Sequence, residues 1–90
     1  MIQTVRVGSA AGLHVRAAAL VAAVAAEQSV AVTVRRGERA PVPADSVLRL
    51  LTLGATHGAE LTLEATGEGA ADALARLADL LSRDLDGTRA

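Results

Sequence analysis

Polar and apolar residues alternate from Gln3 to Val7, with Gln3, Val5 and Val7 on one side and Thr4 and Arg6 on the other. That period of two predicts a half-buried strand. Gly8-Ser9-Ala10-Ala11-Gly12 then reads as a loop. Beyond it Ala17, Leu20, Val21, Val24 and Ala25 recur at three- and four-residue steps, which predicts a helix over 15–28 with those residues on one face. Val30, Val32 and Val34 alternate with Ala31, Thr33 and Arg35 as a second strand. A turn at Arg36-Gly37-Glu38 leads to a short partner strand around Ala40 to Val42, and Pro41 and Pro43 suit a sheet edge. Ser46 before Val47-Leu48-Arg49-Leu50-Leu51, with Gly54 beyond, is the signature of an N-capped short helix closed by glycine. Glu60, Thr62 and Glu64 alternate with Leu61, Leu63 and Ala65 in a last strand. Turns at Gly67 and Gly69 precede a helix striped by Ala70, Ala73, Leu74, Leu77, Leu80, Leu81 and Leu85. Asp72–Arg76 and Asp79–Arg83 lie four apart along it, acid before base.

The order is therefore βαββαβα. A sheet that is apolar on one face must cover that face with its helices, so the expected fold is α+β: a two-layer open-faced sandwich, a four-stranded antiparallel sheet with three helices on one face. The 90 residues suffice for one hydrophobic core, and no repeat, linker or composition break divides them, so residues 1–90 are expected to form a single domain.

Composition narrows the function. About half of the residues are apolar yet none is aromatic, so Val, Leu and Ala must fill the core. The lack of rings and a formal net charge of -1 argue against nucleic acid as a partner, because single strands stack on aromatics and duplexes need a basic surface. With no cysteine and only two histidines, neither a disulfide framework nor a metal site is expected. No cofactor is implied. Met1 to Arg6 lacks a basic-then-apolar signal and the apolar run Ala17 to Ala26 is too short for a bilayer, so the expected location is cytoplasmic, without membrane insertion.

The segment with chemical content is Gly12-Leu13-His14-Val15-Arg16-Ala17-Ala18. It places a histidine where a glycine-containing loop meets the first turn of a helix. The first N–H groups of a helix have no partner within it and carry the positive end of its dipole, so a phosphoryl group finds donors there. Gly12, Val15 and Ala17 belong to this phosphate-binding loop and helix start, and Leu13 is expected to anchor the loop in the core. A neutral imidazole is a competent nucleophile toward phosphorus, and Arg16 adds a fixed charge whose planar fork suits phosphate oxygens.

Gly-Leu-His-x-Arg at the first helix of a chain this long resembles the active-site motif of the histidine-containing phosphocarrier proteins of the phosphoenolpyruvate:sugar phosphotransferase system. Asp45-Ser46-Val47-Leu48 and Thr52-Leu53-Gly54-Ala55 extend the likeness over nearly the whole chain. The resemblance implies a stoichiometric carrier rather than an enzyme. His14 would take a phosphoryl group on Nδ1 from the phosphoenolpyruvate-dependent enzyme I and give it to sugar-specific IIA components, while Arg16 holds the phosphate. The family usually has proline where Ala17 stands, and a small residue or threonine where Val15 stands.

Other residues admit two readings. Ser46 caps its helix, or it is the regulatory serine that a kinase phosphorylates in some relatives, with a serine kinase or a transcriptional regulator as a further partner. His57, outside any helix start, reads as a surface residue. Val47, Leu48, Leu50 and Leu51 exceed one narrow stripe, which reads either as a partly exposed docking patch beside the first helix or as core packing. A monomer is expected. A regulatory relative that does not use His14, and a small-molecule-binding domain, remain the rival functions; the second would need an apolar pocket.

Overall fold

The structure is a computed structural model that describes residues 1–83. Its elements are β1 (Ile2–Arg6), α1 (Val15–Ala26), β2 (Thr33–Arg36), β3 (Val42–Pro43), α2 (Val47–Leu51), β4 (Glu60–Glu64) and α3 (Ala70–Ser82). The strands make one antiparallel sheet in the spatial order β1-β4-β2-β3. Three helices cover one of its faces, as the alternating strand pattern requires.

β4 is central, and its period of two is clean. Leu61 and Leu63 are fully buried beneath the helices, whereas Glu60 and Glu64 point to water. Opposite Leu63 across β2 stands Val34, also fully buried. Such layers of branched aliphatics take the place of aromatic rings, with Val21, Leu50, Leu74, Leu77 and Leu81 completing the core from the helix side.

Several boundaries and faces differ from the sequence expectation. β1 runs one residue earlier, over Ile2–Arg6, because the Met1 ammonium donates to the Ala65 carbonyl at 2.8 Å and prolongs the pairing with β4. Gln3 is exposed; the open margin between this edge strand and α3 leaves its side chain in water. β2 begins at Thr33, and Arg36, expected in the turn, is its last strand residue, paired with Leu61. α1 ends at Ala26, two residues short of expectation. Its inner face is Ala17, Ala18, Val21, Ala22 and Ala25, and Leu20 is 45% exposed. A helix that is apolar nearly all round leaves its orientation to packing, and here the alanines turn inward and let α1 approach its neighbours closely. In α3 the Asp79–Arg83 pair closes at 2.6 Å, while Asp72 and Arg76 are exposed and form no ion pair. The expected stripe residue Leu85 lies outside the described residues.

The short helix α2 follows its signals. Ser46 Oγ accepts from the Arg49 N–H at 3.2 Å, which satisfies one of the unpartnered first-turn donors. At its other end Arg36 donates to the carbonyls of Gly54 at 2.6 Å and Leu53 at 3.3 Å, and Arg39 donates to Leu53 at 3.1 Å. Two guanidinium groups thus sit at the negative end of the helix.

Candidate functional site

The loop that carries Gly12 and Leu13 is held by three backbone bonds to two distant segments, the connection between α2 and β4 and the end of α3. The Val7 N–H donates to the Ala59 carbonyl at 3.0 Å, the Gly8 N–H to Leu81 at the end of α3 at 2.9 Å, and the Leu13 N–H to Ala55 at 3.0 Å. Gly12 closes the turn by donating to Ser9 at 2.9 Å. Its φ of +77° and its burial against the chain demand glycine: a Cβ there would lie 2.5 Å from the Ala55 carbonyl oxygen. Leu13 is buried and anchors the loop as expected. Ser9, which the sequence reading left as one residue of a loop, is 1% exposed and packs inside it.

His14 is the N-cap of α1. Its backbone is extended, its carbonyl accepts the Ala18 N–H at 2.8 Å, and its ring Nδ1 accepts the Ala17 N–H at 3.3 Å. An acceptor nitrogen carries a lone pair and no proton, so a neutral ring in this arrangement holds its proton on Nε2 and its lone pair on Nδ1. The ring is half-buried, Val15 is 64% exposed and Arg16 is exposed on the first turn. Ala17 is fully buried. No acidic side chain lies in the first turn of α1 itself, so the helix start contributes its dipole and its amides to an anion there and no carboxylate of its own. The structure therefore brings together Gly12, His14, Val15, Arg16 and Ala17, the residues singled out from the sequence.

Ser46 belongs to a different helix, where its hydroxyl is engaged as a cap. α1 and α2 pack against each other. On α2, Leu50 is fully buried while Leu48 is 73% exposed, so the surplus of apolar residues divides between core and surface. His57 is exposed. Among the described residues, no group of three His, Cys, Asp or Glu side chains is placed to hold a metal ion, and no helix is long and apolar enough to cross a membrane.

The family model described as "PTS HPr component phosphorylation site" matches residues 2–83. The chain belongs to the HPr family of phosphocarrier proteins. It is 43% identical over 82 residues to the phosphocarrier protein HPr of Streptomyces coelicolor, covering 91% of this chain and 88% of that protein. The HPr of Bacillus anthracis superposes with a TM-score of 0.84 at 26% identity, over 90% of this chain and 95% of that one. An HPr from Thermoanaerobacter tengcongensis does so with a TM-score of 0.82 at 30% identity, over 90% of each chain, and an HPr dimer from that organism is also known. The HPr fold is thus the open-faced sandwich described above. As a member of this family the chain is a phosphocarrier of the phosphotransferase system, a carrier and not a catalyst.

Proposed function

We propose that this HPr-family chain, acting as a monomer in the cytoplasm, accepts a phosphoryl group on His14 Nδ1 from enzyme I and donates it to sugar-specific IIA components. The observation that carries this reading is the position of Nδ1 at the N-terminus of α1, within 3.3 Å of a helix-start amide. Phosphorus attached there brings its oxygens toward donors that a helix leaves without internal partners. Arg16, in the first turn beside His14, would neutralise charge as the group arrives and departs. Gly12, Val15 and Ala17 shape the rim. Leu48 and Val15, both exposed, supply an apolar docking surface around the acceptor. Catalytic groups beyond these come from the partner.

The deciding experiment is incubation with phosphoenolpyruvate and enzyme I, read by intact mass. One added phosphoryl group, labile in acid and stable in base, is the expected product. His14→Ala loses it, and so does His14→Asn. The second variant separates two roles of the residue, because asparagine still caps a helix and keeps the stability that alanine gives up, about 1 kcal/mol. Full acceptance by either variant refutes the assignment. Ser46 is proposed as a second, regulatory phosphosite for a serine kinase, whose charge the N-terminus of α2 tolerates and an acidic partner surface repels. Its capping bond accounts for its presence even without that role.

A further inference from the structure

Ala17 places a backbone donor at the lone pair of the proposed nucleophile. Its N–H points at His14 Nδ1 from 3.3 Å, and its side chain is fully buried, so the peptide is fixed in place. Phosphorus has no room between two nitrogens at that separation. The imidazole must turn about its Cβ–Cγ bond and bring the lone pair toward solvent before it can attack. Once it has done so, the Ala17 N–H has lost its acceptor at the edge of the site that receives the phosphoryl group.

We propose that the Ala17 N–H exchanges acceptors during transfer, from Nδ1 of resting His14 to an oxygen of the phosphoryl group on phosphorylated His14. This rests on the reading of His14 Nδ1 as acceptor. In the step itself the Nδ1 lone pair forms the N–P bond, and the bond from phosphorus to the donor protein breaks with its electron pair left on the donor. The Nε2 proton stays on the ring, whose gained positive charge faces the negative phosphoryl oxygens. The exchange replaces a long bond to a neutral nitrogen with a charge-assisted bond to an anion, at a helix end whose dipole favours that anion. The Ala17 N–H therefore opposes attack slightly and stabilises the product more. It lowers the phosphoryl-transfer potential of this carrier and lengthens the life of its phosphorylated form. A residue without an N–H at this position cannot do either.

The test begins with ¹H–¹⁵N spectra of the labelled chain before and after phosphorylation by phosphoenolpyruvate and enzyme I. The Ala17 amide proton is expected to move downfield on phosphorylation, as a new bond to an anionic oxygen requires. Ala17→Pro removes the N–H in a first helical turn, where proline is tolerated. The equilibrium of phosphoryl exchange with enzyme I is expected to shift roughly tenfold toward the unphosphorylated carrier in that variant. Ala17→Gly, which keeps the N–H, is expected to recover the loss. An Ala17 amide proton that does not move, or equal equilibrium constants for the proline and glycine variants, overturns the proposal. Should the proline variant not fold, the amide shift in the parent chain decides alone. A chain that gains phosphoryl mass while the Ala17 amide stays still overturns only this inference; one that gains no mass overturns the carrier reading beneath it.

Discussion

At the scale of single residues, the proposed site depends on Gly12 for geometry and on His14 for chemistry. Gly12 is held at φ +77° with its α-carbon against the Ala55 carbonyl and the Thr56 backbone, so a methyl group meets both unfavourable torsion and atoms that belong to the main chain. Gly12→Ala is expected to cost about 1–3 kcal/mol, read as a lower midpoint in thermal or denaturant unfolding. The loop can relieve the clash only by lifting from Ala55, which displaces Leu13 and His14 together. The same variant is therefore expected to accept phosphoryl groups more slowly even at temperatures where it is fully folded. A variant that unfolds earlier but transfers at the parental rate would show that the loop geometry matters to stability alone.

At the scale of elements, the shelf from Leu53 to Ala55 links the arginine pair to the acceptor loop. Arg36 and Arg39 hold the Leu53 and Gly54 carbonyls, and the next carbonyl, Ala55, holds Leu13. Removing both guanidinium groups with Arg36→Ala and Arg39→Ala is expected to raise the hydrogen-exchange rate of the Leu13 amide by roughly tenfold, with the Leu77 and Leu81 amides of α3 unchanged. Equal protection of Leu13 in the variant and the parent would remove the shelf from the account. None of this coupling was legible in the sequence, because its acceptors are backbone carbonyls, which every residue possesses. What was legible followed from side-chain period and caps: β4 from the contrast of Leu61 and Leu63 with Glu60 and Glu64, α2 from Ser46 and Gly54, α3 from its leucine stripe. The face of α1 was misjudged at Leu20 because alanine and valine surround that helix and no polar stripe marks its outside. The placement of His14 and Arg16 at a loop-to-helix junction was legible from the motif around them, and His14 is the N-cap of α1 with Arg16 in its first turn.

At the scale of the whole molecule, the core and the proposed docking surface meet within one turn of α2. Leu50 is fully buried and Leu48 is 73% exposed, two residues apart. Leu50→Ala is expected to cost about 2–5 kcal/mol in unfolding, as cavity-forming truncations do. Leu48→Ser is expected to leave unfolding nearly unchanged and to raise the KM for enzyme I several-fold, with the maximal transfer rate preserved. Parental kinetics in Leu48→Ser would place the docking surface elsewhere. The sheet order carries a consequence of another kind, for synthesis. Among the described residues β1 pairs with β4, with Ile2 opposite Glu64, and the Gly8 N–H donates to the Leu81 carbonyl. His14 leaves the ribosome early, but the frame that positions it is complete only once α3 has been made as far as Leu81. Such distant pairings close slowly and late. Chains that have not yet reached α3 carry His14 without the frame that orients it, so under the proposed function folding itself would restrict phosphoryl traffic to chains that have closed this frame.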